Sequence, residues 1–136
     1  METIFTKIIR GEIPSFRIAE NENFYAFLDI NPLAKGHTLV VPKKQVDYIF
    51  DLDDELYQGL FMFAKNIAKA IEKVVPCRKI GIAVIGLEVP HAHIHLVPIN
   101  TIYDIDFKKA KLVLPPAEFT EIMEKIIKEL ERQEYQ

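Results

Sequence analysis

Between residues 15 and 42 the apolar positions fall in short runs bounded by turn residues. Ser15–Glu20 and Phe24–Asp29 read as two strands joined by the Asn21-Glu22-Asn23 turn, a hairpin pattern. Asn31-Pro32 breaks the pattern, and His37–Val41 reads as a third strand stopped by Pro42. The period then switches to steps of three and four. Leu56, Leu60, Phe63, Ile67, Ala70 and Val74 mark one face of an amphipathic helix of about six turns. Asp51 or Asp53 can cap it, and Asp53, Asp54 and Glu55 suit the positive end of its dipole. Lys69 and Lys73 suit the other end, and Pro76 closes it. Ile80–Ile85 forms a fourth strand, apolar enough to lie centrally in a sheet. His91–Asn100 forms a fifth. At the two ends, Thr3–Arg10 makes a short helix stopped by Gly11, and Pro115-Pro116 opens a helix running to about Arg132. Phe119, Met123, Ile126, Ile127 and Leu130 lie on one side of that last helix. A strand group, a helix and two more strands, without βα alternation, predict an α+β fold. Its expected parts are a five-stranded, mainly antiparallel sheet, one long central helix, a short N-terminal helix and an added C-terminal helix. No repeat or linker divides the chain. Residues 1–136 are expected to form a single domain, with a core of about 3–100 and a helical extension at 115–132.

The fifth strand carries the chemistry. His91, His93 and His95 are three of the chain's four histidines, and they alternate with Ala92, Ile94 and Leu96. Side chains at every second strand position share a face, so three imidazoles are expected on one surface at steps of about 6.6 Å. A merely solvated surface has no need of three imidazoles. Near pH 7 imidazole is partly neutral. The neutral ring is a nucleophile, a base or a metal ligand, and the protonated ring holds phosphate or protonates a leaving group. Adjacent rings cannot all be charged cheaply, so roles divide between an attacking neutral member and a proton-carrying neighbour. A structural role and a zinc site are the alternatives. Two histidines two apart make a natural ligand pair, but three positions in a line converge poorly on one ion. No metal and no cofactor are expected.

Composition narrows the partners. Seventeen basic against 20 acidic residues leave a net charge of −3, which argues against nucleic acid as a primary partner. That balance is compatible with a local basic site for a small phosphate. The lone cysteine, Cys77, excludes an intrachain disulfide framework and a Cys-rich zinc site. No apolar run reaches the roughly 18 residues of a membrane span, and Met1–Lys7 does not read as a signal peptide. The expected compartment is the cytoplasm.

The run His91-Ala92-His93-Ile94-His95-Leu96-Val97 is a complete match to His-φ-His-φ-His-φ-φ, where φ is apolar. Through it the chain resembles the histidine-triad nucleotide hydrolases and transferases, in particular their nucleoside phosphoramidase branch. Ile4–Pro14, and Phe27–Pro32 running into Gly36–Lys43, resemble the family in the same order. The likeness covers about residues 3–100 and implies a HIT-like fold.

The resemblance makes His93, the middle histidine, the nucleophile toward the α-phosphorus of a nucleoside 5′-phosphate ester, anhydride or amide. A covalent nucleotidyl-histidine would form, and water would release the nucleoside monophosphate, dividing one difficult displacement into two. His95 would steady the phosphate and assist the leaving group. His91 would orient the row, and His37 would support it from a neighbouring strand, although by position His37 is equally a core histidine. Asp29 matches a ribose-binding acid, since a carboxylate accepts from both the 2′ and 3′ hydroxyls. It also suits a cap on the Asn31-Pro32 turn. Phe5, Ile8, Phe27 and Ile30 match an apolar clamp around a purine base, and by spacing alone are equally core residues.

One stretch departs from the family pattern. Many members place Asn-x-Gly, a small loop and Gly-Gln-x-Val before the triad, whereas this chain has Ile85-Gly86-Leu87-Glu88-Val89-Pro90. Leu87 cannot donate to a phosphate oxygen, and losing such a donor costs on the order of 10²–10³ in rate at other oxyanion sites. Backbone N–H groups of the shortened loop are the available substitute. Glu88 is expected on the leaving-group side, where its carboxylate would favour a cationic amine. The resemblance further implies a homodimer that joins two five-stranded sheets into one of ten. Phe61 and Met62 would face the partner or lie under the C-terminal helix. The leading expectation is therefore an enzyme that hydrolyses a small-molecule nucleotide, a nucleoside 5′-phosphoramidate or a related adenylated compound. Dinucleoside polyphosphate hydrolysis, metal binding, and binding of a nucleotide or protein without turnover are the alternatives.

Overall fold

The Asn21-Glu22-Asn23 turn closes the first hairpin through one side chain. Asn21 Oδ1 accepts from the backbone N–H groups of Asn23 and Phe24 at 3.0 and 2.9 Å. In the computed structural model, which describes residues 1–134, the hairpin strands are β1 (Arg17–Glu20) and β2 (Phe24–Leu28). The other strands are β3 (Thr38–Pro42), β4 (Lys79–Ala83) and β5 (Ile94–Ile99). They form one sheet in the order β1-β2-β3-β5-β4, with every pairing antiparallel. The helices are α1 (Ile4–Ile9), α2 (Asp54–Val74) and α3 (Pro116–Glu134). The fold is α+β, as the periodicity predicts. Asp53 is the residue that caps α2, its Oδ1 accepting from the Leu56 N–H at 2.8 Å.

Strand alternation divides the side chains between two faces. Phe24, Ala26, Leu28, Val40, Ile94 and Leu96 join Leu60, Ala64, Ile67, Ala70 and Ile71 of α2 in the main core. Phe119, Ile122 and Ile126 of α3 complete that layer. Tyr25, Phe27, Leu39 and Val41 form a second cluster with Phe5 and Ile8 of α1. α1 and the histidines therefore share this second side of the sheet.

Two expectations need correction, and one open alternative is narrowed. The histidine strand begins at Ile94, so His91 and His93 precede it. The β3–β5 register pairs Thr38 with Leu96, Leu39 with His95 and Val40 with Ile94. Continued, it would bring Pro42 opposite Ala92, and proline has no N–H to extend a ladder. Ala92 instead donates its N–H to the Val46 carbonyl at 2.7 Å. Second, β4 pairs only with β5 and lies at an edge of the sheet. Its apolar character reflects an open edge, with Ile82, Val84 and Ile85 exposed. The alternative concerns Phe61 and Met62: α3 packs on α2 and β1, with Phe119 stacked on Phe16 at a centroid distance of 5.0 Å, and leaves Met62 exposed. Phe61 is half-buried against Tyr57.

Candidate active site

The start of α1 holds the first histidine. Thr3 caps the helix by accepting the Thr6 N–H on Oγ1 at 3.1 Å, and that hydroxyl lies 2.8 Å from His91 Nδ1. His91 Nε2 lies 2.8 Å from the Pro42 carbonyl. A carbonyl only accepts, so Nε2 carries the proton and Nδ1 accepts from the Thr3 hydroxyl. Both nitrogens are thus consumed, the ring is fully buried, and burial keeps His91 neutral by lowering its pKa. Gln45 braces the same corner, its Oε1 accepting from the Thr3 N–H at 2.9 Å and the Thr6 hydroxyl at 2.6 Å. His91 is a strut behind the site; the expected line of three side-by-side rings is reduced to two.

His93 is oriented by its neighbour's backbone. Its Nδ1 lies 2.8 Å from the His91 carbonyl, so Nδ1–H donates and Nε2 keeps an unprotonated lone pair. Phe5 packs edge-on at 5.0 Å and the His95 ring at 4.9 Å between centroids. Burial lowers the His93 pKa, while the bond to the His91 carbonyl and the Glu88 carboxylate act in the opposite direction.

His95 and His37 form a second relay. The Leu33 N–H donates to His37 Nδ1 at 3.0 Å, which places the proton of neutral His37 on Nε2. Nε2 lies 3.0 Å from His95 Nδ1 and donates to it, leaving the His95 proton on its own Nε2. Burial first, then the nearby positive charge of Lys111, pushes the His37 pKa down to about 4. Burial, with His93, His37 and Lys111, pushes that of His95 down to about 3. His37 is 1% exposed, and its bond fixes the tautomer of His95.

Asp29 caps the turn that follows β2. One oxygen accepts from the Asn31 N–H at 2.8 Å, the turn cap, and the other lies 3.6 Å from His37 Nε2. Burial raises its pKa, opposed by the Asn31 N–H and by Lys111. Ligand atoms of Asp29, His37 and His95 lie within 4.8 Å of one another. A metal ion there would have to displace the His37 Nε2 proton and the Leu33 donor that fixes it, so this donor set favours a hydrogen-bonded pair.

Phe5, Ile8, Phe27, Ile30, Asp29, His37, His93, His95 and Glu88 all line one cavity of about 470 Å³, a size suited to a small molecule. Phe5, Ile8 and Phe27 are buried in the second cluster as well, while Ile30 stands exposed at the rim. Gly86 has φ +71°, a conformation glycine adopts without strain. After it, Leu87 points into solvent at 89% exposure and Glu88 stands at the edge. Two lining residues, Phe107 and Lys111, come from the segment after β5, which has no periodicity to announce them.

Residues 10–102 match the HIT domain, and the chain belongs to that family of histidine-triad nucleotide hydrolases and transferases. Over 130 residues it is 38% identical to the adenosine 5′-monophosphoramidase of Saccharomyces cerevisiae, covering 93% of this chain and 79% of that one. It is 35% identical to an uncharacterised HIT-like protein of Borreliella burgdorferi, covering 89% and 93%. A Hit-like protein from Bartonella henselae, described as involved in cell-cycle regulation, superposes with a TM-score of 0.82 at 32% identity over 94% of this chain and 96% of that one. No helix among the described residues is long and apolar enough to cross a membrane.

Proposed function

We propose that this chain hydrolyses a nucleoside 5′-phosphoramidate or a related adenylated compound through a covalent nucleotidyl-His93. The observation that carries the reading is the 2.8 Å bond from His93 Nδ1–H to the His91 carbonyl, which leaves Nε2 as a nucleophile at the cavity wall. The likeness to a yeast adenosine 5′-monophosphoramidase supports the substrate class.

The base lies between Phe5, Ile8, Phe27 and Ile30, and the free acceptor of Asp29 takes the ribose hydroxyls. His93 Nε2 attacks the α-phosphorus. The N–P bond forms as the bond to the leaving nitrogen breaks, and that nitrogen departs with the electron pair and takes a proton from water. The imidazolium formed on His93 is stabilised by the His91 carbonyl, which already accepts from its other nitrogen. His95 Nε2–H, aimed by the His37 relay, donates to a phosphate oxygen. Water then attacks phosphorus, the electron pair of the N–P bond returns to Nε2, and a proton passes to solvent as the nucleoside monophosphate leaves. Glu88 at the rim favours a cationic amine as the group that departs.

The test is AMP release from adenosine 5′-phosphoramidate by wild type and His93→Ala, with a diadenosine polyphosphate in parallel. The expected result is turnover of the amidate, faster than of the polyphosphate, lowered by about a thousandfold or more in the variant. Turnover that survives in His93→Ala overturns the mechanism, and a faster polyphosphate overturns the substrate class and the role of Glu88.

The open edge of β4 supports a homodimer. Its free backbone groups lie beside exposed Ile82, Val84 and Ile85, and a second apolar concavity joins Val84 and Ile85 to Tyr48, Phe50, Tyr57 and Phe61. A second copy pairing β4 with β4 covers this surface by a two-fold operation. Sedimentation of wild type at micromolar concentration is expected to give a dimer, and Ile82→Lys a monomer. A monomeric wild type contradicts the assembly.

A further inference from the structure

The segment between β5 and α3 is anchored at both ends of its passage beside the cavity. At its start Thr101 and Asp104 form a capping box around a short helical turn. Further on, the Leu112 N–H donates to the Pro32 carbonyl at 2.9 Å, which pins the segment to the turn that follows Asp29. Between these anchors the Phe107 ring stands edge-on to His95 at 4.7 Å and to His37 at 6.3 Å.

Lys111 directly precedes the pinned residue. Its Nζ donates to the carbonyls of Phe107 at 2.7 Å and Lys109 at 3.2 Å, and lies 5.9 Å from the Phe107 ring centroid. An ammonium has three N–H donors, so one is left uncommitted. Among the described residues Lys111 joins no ion pair, and it is the only lysine or arginine lining the cavity. Its charge is felt at Asp29, His37 and His95.

A nucleotide phosphate entering this cavity meets neutral imidazoles, two carboxylates, the uncharged side chains of Ser15 and Asn31, and an apolar wall. Leu87 offers no side-chain donor. An anion taken from water needs a counter-charge. We propose that Lys111 is the phosphate-binding cation of this site, its uncommitted N–H donating to the α-phosphate oxygen on the His95 side. The proposal rests on the nucleotide reading above. Lys111 lies beyond residues 10–102, the part of the chain that matches the HIT domain, so the cation comes from the segment that follows the histidine strand. It discriminates a nucleotide from its nucleoside.

Calorimetric binding of AMP and of adenosine to the full chain tests this in wild type, Lys111→Met and Lys111→Arg. The methionine variant is expected to weaken AMP roughly tenfold, the scale of a hydrogen bond to a charged group at a solvated position, and to leave adenosine unchanged. Arginine is expected to restore most of the AMP affinity. Equal weakening of both ligands, or of neither, overturns the proposal. Wild type that binds neither AMP nor adenosine overturns the nucleotide reading itself, and the role of Lys111 falls with it.

Discussion

On the side of the sheet packed by α2 and α3, Ala26, Val40, Ile94 and Leu96 have no exposed surface at all. One residue further along the same strands, Phe27, Leu39 and His95 border a cavity of about 470 Å³. The first side is filled to the density that holds a domain together. The second is left open, and its histidines are each fixed by a named partner: Thr3 and Pro42 on His91, the His91 carbonyl on His93, Leu33 on His37 and His37 on His95. The contrast teaches that neighbouring residues of one segment, Ile94 and Leu96 against His93 and His95, divide between a sealed core and an open cavity. Burial serves both. It supplies hydrophobic stabilisation on one side and keeps imidazoles unprotonated on the other.

The sharpest way to break this comparison is to cut neighbouring residues on opposite sides. Ile94→Ala empties space in the sealed core and is expected to cost about 2–5 kcal/mol in urea unfolding. His93→Ala is expected to cost less than Ile94→Ala while removing turnover. A larger loss of stability for His93→Ala than for Ile94→Ala would show that the histidine side is structural.

A smaller effect follows from the buried relay. The His37 pKa is held at about 4 against an ordinary 6.5. Above pH 6.5 the ring is neutral both folded and unfolded, and stability is at its full value. Between pH 6.5 and about 4 the unfolded chain takes up a proton that the folded chain refuses, so stability falls, by on the order of 3 kcal/mol. Urea midpoints across this range are expected to drop in wild type and to drop less in His37→Gln. Equal pH slopes would contradict the neutral relay. The smallest effect is on the pH profile of kcat/KM. With the His93 pKa lowered by burial, activity is expected to reach its half-maximal point on the acid side of pH 6.5. A half-maximal point above pH 6.5 would contradict an imidazole held neutral by burial.

Most of the fold was legible because each element carried its own period. The long helix showed steps of three and four, and Asn21-Glu22-Asn23 marked its hairpin. The candidate site was legible as far as its residues lay on those elements: Phe5 and Ile8 on α1, Phe27 at the end of β2, and His95 on β5 all reach one cavity. The retreat of His91 was not legible, because it follows from register. Pro42 ends the ladder opposite Ala92, and no local pattern around the histidines records that. The edge position of β4 was missed for a similar reason, since an apolar run looks alike in a central strand and in an edge that can be covered. Phe107, Lys111 and Gln45 were invisible. They sit in aperiodic segments, and only long-range bonds such as Leu112 N–H to the Pro32 carbonyl bring these segments to the site.

The central claim is that one nitrogen, His93 Nε2, is kept free and unprotonated in order to bond to phosphorus. The most direct measurement mixes the protein with adenosine 5′-phosphoramidate, quenches in alkali, where a phosphoramidate bond to histidine survives, and maps the adduct by peptide mass spectrometry. The expected result is an adenylyl group on the peptide at His93, absent in His93→Ala. Steady turnover with no adduct, or an adduct on another residue, would contradict it.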